Sequence, residues 1–111
     1  MVEQVYNLDG IFGSLSDPTR RDILKRVGKH SMSIGDIARN YKISFAGIAK
    51  HLNVLEKSGL LFKTRLGKEQ IVTIDPKALR VVNDYMKKFE RLWEDRLDNL
   101  DKHLKSINKE G

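Results

Sequence analysis

Residues 33–59 read S-I-G-D-I-A-R-N-Y-K-I-S-F-A-G-I-A-K-H-L-N-V-L-E-K-S-G, and residues 60–75 continue L-L-F-K-T-R-L-G-K-E-Q-I-V-T-I-D. The first stretch holds two short helix signals. Ser33 caps one, with Ile34, Ile37 and Ala38 turned inward and Asp36 three residues on, as in a capping box. Ser44 caps the next, whose Ile48, Leu52 and Leu55 recur at helical spacing, and Gly59 offers a left-handed stop. Strand formers follow at Leu60–Arg65 and Gln70–Ile74, joined by a turn at Leu66-Gly67-Lys68-Glu69. Two short helices and a basic-tipped hairpin describe a helix-turn-helix with a wing, a unit that lays one helix in the major groove of DNA while the hairpin reaches the backbone.

The flanking sequence extends this pattern. Upstream, Ser16 or Asp17 caps a helix with Pro18 in its first turn, Ile23, Leu24 and Val27 on its inner face, and Gly28 as its stop. Before it, Tyr6, Leu8, Ile11, Phe12 and Leu15 supply a short apolar helix weakened by Gly10 and Gly13. Downstream of Asp75-Pro76 no Pro or Gly interrupts residues 77–110, which predicts one long helix. Its apolar positions are Leu79, Val82, Met86, Phe89, Trp93, Leu97, Leu100, Leu104 and Ile107. The steps are close to a heptad seam, with a four-four step at Trp93 that would locally unwind a supercoil. That stripe is longer than a small domain needs for its own core, so it predicts a homodimer through this helix together with the first. Leu8, Phe12, Val82, Met86, Phe89, Trp93, Leu97 and Leu100 are the expected interface residues. The expected architecture is therefore mainly α with a small β-hairpin, a winged helix-turn-helix dimeric through its terminal helices. We read residues 1–111 as a single domain, with a DNA-binding core at about 16–75 and a dimerisation helix at about 76–109.

Charge supports a polyanionic partner. All twelve basic residues of the first 75 lie between Arg20 and Lys68, where only Asp22, Asp36 and Glu56 oppose them, a local net of +9 against +6 for the whole chain. Residues 76–111 carry nine basic and seven acidic residues, a net of only +2. There are no cysteines, which removes disulfides, thiolate ligands and a cysteine nucleophile together. No apolar run reaches the ~20 residues of a membrane span. The opening residues 1–5 carry neither a basic n-region nor an apolar h-region, so no secretory signal is expected and a cytoplasmic protein is. The three histidines, His30, His51 and His103, are scattered, and no phosphate loop, paired-His motif or serine elbow is present, so no enzyme is expected.

The run G-S-L-S-D-P-T-R-R-D-I-L at 13–24, the frame S-x-x-x-I-A-K-H-L-x-V-L-E-K-S-G-L at 44–60 and the D-P at 75–76 resemble the ArsR/SmtB family of bacterial repressors. The resemblance covers roughly residues 8–80. The tail W-E-D-R-L-D-N-L-D-K-H-L at 93–104 is similar to the cysteine-free, metal-independent branch that includes autorepressors. It implies a dimeric winged helix on an inverted-repeat operator that blocks transcription. Family metal sensors carry cysteines at the start of the third helix, where this chain has Ser33 and Gly35. Others use Asp-x-His in the last helix with further ligands beyond. Here Asp101 and His103 supply at most half such a set, so no metal and no cofactor are expected.

The resemblance also indicates which residues meet DNA. Family members usually present Ser, Thr or Gln on the recognition helix, where this chain has Phe45, Ala46, Gly47 and Ala49. Such side chains contact thymine methyls, and they leave part of the reading to the deformability of the duplex. For Phe45 the alternative is inward packing against Tyr41. Lys50 can donate to guanine, and His51 is expected at a phosphate or base rather than hydrogen-bonded within the fold. Lys42 and Ser44 precede the helix whose N-terminal amides can meet a phosphate. Lys63, Arg65 and Lys68 make the wing basic. Of Arg20 and Arg21, one is expected to support the fold through an acid such as Asp22 or Glu56, and the other to face solvent. The partners expected are thus double-stranded operator DNA and a second copy, with no membrane. The inducing signal, an effector or a partner protein, is not written in the sequence. The readings set against a DNA-binding repressor are a winged-helix protein-interaction module without DNA binding and a metal-responsive repressor with an unrecognised site.

Overall fold

The computed structural model describes residues 8–110, with side-chain burial described to residue 108; the opening stretch with Tyr6 lies outside the described residues. The chain forms two compact units that divide between Leu79 and Arg80. In the first, α1 (Leu8–Ser14), α2 (Pro18–Lys29), α3 (Ile34–Ala38) and α4 (Phe45–Lys57) are joined by three strands, β1 (Met32–Ser33), β2 (Leu61–Leu66) and β3 (Glu69–Ile74). A final helix, α5, spans Pro76–Glu110.

The helices α2, α3 and α4 each begin where a short polar side chain can take up an orphan N–H. Asp17, rather than Ser16, caps α2 by accepting from the Arg20 N–H at 3.0 Å. Ser33 accepts from the Asp36 N–H at 3.1 Å and Ser44 from the Gly47 N–H at 3.0 Å. Gly28 does not stop α2: the helix runs one residue past it to Lys29. A Cβ at Gly28 would lie in ordinary contact with Ile74, so this glycine sits where the helix passes the sheet.

The sheet has the order β1-β3-β2, all antiparallel. The hairpin is the expected wing, one residue displaced at its start and extended at its tip. Leu66 pairs with Glu69, leaving Gly67 and Lys68 as a two-residue loop. Gly67 has φ +63° and, among the described residues, no non-glycine has positive φ, which makes the loop type II′, the turn whose twist suits a hairpin. β1 is an element that sequence reading did not anticipate. It is two residues long, pairing Met32 with Val72 and Ser33 with Ile71.

The core of this unit is apolar and continuous. Ile11 of α1, Ile23 of α2, Ile37 of α3, Ile48, Leu52 and Leu55 of α4, and Leu60 and Val72 are fully buried. α4 packs on α1, α2, α3 and β2, which fixes its inner face on all sides. A polar bracket closes the outside of this packing. Tyr41 donates its hydroxyl to Asp22 at 2.5 Å, and Arg26 donates to both, at 3.0 Å to Asp22 and 3.1 Å to Tyr41. Arg26 also reaches Asn40 at 3.2 Å. The bracket ties α2 to the turn between α3 and α4.

In α5 the apolar stripe is exposed along its length; Trp93 is 54% exposed and Leu97 56%. Leu79, Val82, Met86 and Phe89 recur eighteen residues on as Leu97, Leu100, Leu104 and Ile107. Eighteen residues make five turns of a straight α-helix, so the stripe runs along one side without drifting. The four-four step at Trp93 keeps the stripe in phase with an unsupercoiled helix. Leu92 is also exposed but lies off this line. No helix among the described residues is long and apolar enough to cross a membrane.

The bracket makes stability depend on pH in a set direction. The Tyr41 hydroxyl, and after it the Arg26 guanidinium, hold Asp22 below its ordinary carboxylate range. Burial, then the Asp22 carboxylate, pushes the Tyr41 hydroxyl up to about 12, so it remains a donor at neutral pH. Asp22 is more acidic folded than unfolded. Its contribution is therefore present above the unfolded value of roughly 3.9 and is lost as pH falls through the folded value. Tyr41→Phe is expected to lower the melting temperature most at pH 7, with the gap from the parent protein narrowing towards pH 3. Thermal melts followed by circular dichroism check this; a gap of constant size across that range contradicts it.

Candidate nucleic-acid interface

Burying Ile48, Leu52 and Leu55 forces the opposite side of α4 outward. Phe45, Ala46, Lys50 and Asn53 are exposed there, and Phe45 at 60% does not pack inward against Tyr41. The Tyr41 ring is instead engaged by Arg26, whose guanidinium lies 5.5 Å from the ring centre. Gly47 has a local reason for its identity: a Cβ there would fall 2.6 Å from the Ile43 Cγ2 and 3.2 Å from the Ser44 Oγ. Ile43, itself part-exposed, thus lies over the first turn of α4, adding to an apolar tip with Phe45 and Ala46.

A groove of about 460 Å³ runs beside this tip, lined among others by Ser33, Phe45, Ala49, Asn53, Lys68 and Gln70. Its walls are the outer side of α4 and the wing. Lys42, Lys50 and Lys68 are exposed and, among the described residues, make no ion pair. Arg65 is exposed and donates from Nε to the Gly67 carbonyl at 3.3 Å, bracing the wing tip. These cations are available to phosphates without breaking internal pairs.

Two residues expected at DNA are engaged inside the protein. Lys63 is only 15% exposed in its side chain; Nζ donates to Asn53 Oδ1 at 2.6 Å and lies 3.4 Å from Glu56. It alternates to the α4-facing side of β2 with Leu61 and so bridges wing and recognition helix. His51 turns towards the start of α2, with Nδ1 3.4 Å from an Arg20 guanidinium nitrogen and 4.0 Å from the Asp17 carboxylate. Its neighbour Leu52 is the core position, but one further step of 100° around the helix brings His51 to the α2 side rather than to the open face.

Arg21 is exposed, as one of the two arginines was expected to be, but the partners of both depart from expectation. Neither pairs with Asp22 or Glu56, which are taken by Arg26 and Lys63. Arg20 donates to the Ser14 carbonyl at 2.6 Å and the Gly13 carbonyl at 3.3 Å, and Arg21 to the Leu15 carbonyl at 2.8 Å. Both guanidinia satisfy carbonyls at the end of α1, where a helix is short of donors and negative in potential. The signal was present in the sequence: two arginines in the first turn of a helix, a few residues after the end of another. The Arg20 N–H, the cap donor, also holds the Asp17 carboxyl below its usual range, partly opposed by burial and helped by His51. Asp101 is ion-paired with Lys105 at 3.2 Å, and no cluster of three or more His, Asp or Glu suited to a metal occurs among the described residues.

The sequence profile of a helix-turn-helix domain family matches residues 15–61, from the end of α1 to the start of the wing. The transcriptional repressor SdpR of Bacillus subtilis (strain 168) is 32% identical over 82 residues, which is 74% of this chain and 91% of the relative. An ArsR-like transcriptional regulator from Rhodococcus sp. RHA1 is 30% identical with a TM-score of 0.71, over 84% of this chain and 88% of that one. The homodimeric winged helix-turn-helix DNA-binding domain Mb0332 (fragment 1–100) from Mycobacterium bovis shares the fold, with a TM-score of 0.63 at 18% identity over 78% and 82% of the two chains. With its motifs, its helix-turn-helix and its wing all in agreement, the chain belongs to the ArsR family of winged helix-turn-helix transcriptional regulators.

Proposed function

We propose that this protein is a homodimeric repressor that binds an inverted-repeat operator, with α4 in the major groove and the wing on the flanking backbone. The observation that carries the reading is the outer side of α4. It presents Phe45, Ala46 and Lys50 to solvent beside a groove lined by the unpaired Lys68, while Ile48, Leu52 and Leu55 on its inner side are fully buried. The similarity to a named repressor supports the direction of regulation. The exposed stripe on α5, with the part-exposed Phe12 and half-buried Leu8 of α1, supports the second copy.

The residues divide by chemistry. Lys42, Arg65 and Lys68 neutralise phosphates, and the capped N-terminus of α4, set by Ser44, faces the backbone. Lys50 reads a guanine edge, and Phe45 with Ala46 reads thymine methyls; Gly47 keeps the backbone of this turn close to the duplex. Lys63 and His51 act as positioning residues, the first holding the wing to α4 and the second supporting the start of α2.

Arg65→Ala and Lys68→Ala are each expected to weaken binding to all duplexes alike and to reduce the salt slope by about one unit. Lys63→Ala is expected to weaken binding with that slope unchanged. Fluorescence anisotropy titrations from 50 to 300 mM salt separate them, and a full unit of slope lost at Lys63 would return it to the phosphate set.

Lys50→Ala and Phe45→Ala are expected to change which operators are preferred, by about 1–3 kcal/mol at the affected base pairs. Phe45→Ala should further reduce the difference between thymine- and uracil-containing duplexes. Competition against a randomised operator library reads both. An unchanged ranking removes the residue from base reading, and no binding to any duplex at low salt removes the DNA-binding reading altogether.

A further inference from the structure

The entry to α4 offers a base pair almost nothing but carbon. Of residues 43–49, Ile43, Phe45 and Ala46 are exposed, Gly47 and Ala49 are part-exposed, and Ile48 is buried. Ser44 is the one polar side chain among them, and its oxygen is held back as the helix cap, accepting from the Gly47 N–H at 3.0 Å. Further along the same side of the helix, Asn53 Oδ1 accepts from Lys63 at 2.6 Å, and the Glu56 carboxylate lies 3.4 Å from the same ammonium. The acceptors of this side are thus turned to the wing. Its donors, Lys50 and the Asn53 amide N–H, stand apart from the apolar tip. Lys50 comes five residues after Phe45, about 140° around the helix, and Asn53 eight residues after it, about 12 Å along the axis.

In the major groove thymine differs from cytosine in two ways: it carries a C5 methyl, and beside that methyl it has an O4 acceptor where cytosine has an N4 donor. A tip made of carbon feels the first difference and has no group to sense the second. 5-Methylcytosine carries the same methyl on the same ring carbon. We propose that the tip formed by Ile43, Phe45 and Ala46 reads 5-methylpyrimidines as a class, taking 5-methylcytosine in place of thymine, so that methylation of cytosine C5 strengthens operator binding. This rests on the DNA-binding reading of α4 proposed above and adds to it a dependence on the covalent state of the operator. Burying one methyl is worth about fourfold in affinity, so the two related positions of an inverted repeat give about fifteenfold together. Lys42 and Lys68, exposed and without ion pairs among the described residues, hold phosphates whether or not the methyl is present. Methylation therefore grades the affinity of a site rather than switching binding on.

The full chain is titrated by fluorescence anisotropy, at fixed salt, with a duplex selected from a randomised library. Positions under the tip are those at which uracil in place of thymine weakens binding. At each of them a C·G pair is compared with a 5-methyl-C·G pair, a change of the methyl alone. The methylated duplex is expected to bind about fourfold tighter at one position and about fifteenfold tighter at both, within twofold of the gain of thymine over uracil. Phe45 is 60% exposed, so its replacement spares the core. Phe45→Ala is expected to bring both gains below about twofold, and Phe45→Leu, which keeps a branched carbon side chain there, to retain them. Equal binding of the C and 5-methyl-C duplexes, with thymine still preferred over uracil, overturns the proposal and leaves the DNA-binding reading standing. A methylation gain that persists in full in Phe45→Ala also overturns it, assigning the effect to the deformability of the methylated duplex. No preference for thymine over uracil at any position overturns methyl reading as a whole, this proposal included. Failure to bind any duplex at low salt overturns the DNA-binding reading itself.

Discussion

The burial of one side of α4 is the constraint on which the rest of the first unit depends. Ile48, Leu52 and Leu55 are fully enclosed by α1, α2, α3 and β2. A helix cannot bury residues at this spacing without committing the angles of all the others. The direction in which Phe45, Ala46 and Lys50 point is therefore set by the apolar residues between them. The proposed interface is in this sense a by-product of the core, and its precision comes from close packing behind it.

Polar contacts then hold the neighbours of α4 in place. The Asp22, Tyr41 and Arg26 bracket pins the turn that delivers α4 to α2. Lys63 pins the wing to α4 from the other side through Asn53 and Glu56. Arg20 and Arg21 close the gap between α1 and α2. Each exposed ion pair contributes little by itself. Their shared effect is positional: Tyr41 is tied to α2, the wing to α4, and α2 to the end of α1.

Much of this architecture was legible from sequence because its signals are local. Caps at Ser33 and Ser44, the stripe of α4, the Gly67 turn and the uninterrupted α5 each follow from a few adjacent residues. What sequence reading missed depends on contacts between distant segments. β1 has only two residues and exists because Met32 and Ser33 meet Val72 and Ile71. The inward engagement of Lys63 requires knowing that Asn53 and Glu56 lie across from β2. The placement of His51 requires knowing that α2 begins beside it. The exposure of Phe45 was open for the same reason: Tyr41, its alternative neighbour, was already held by residues of α2. Side-chain type gave the chemistry of the proposed site, and tertiary pairing decided which cations were left over to use it.

Ser33 serves two structures at once. Its backbone is the last step of β1 against Ile71, and its hydroxyl accepts from the Asp36 N–H in the first turn of α3. β1 therefore cannot separate from the middle of β3 without also loosening the start of α3. Opening motions that would be separate in a molecule with a free-standing hairpin are merged here into one cooperative event. Backbone amides of β1 and of the first turn of α3 are then expected to exchange with solvent together.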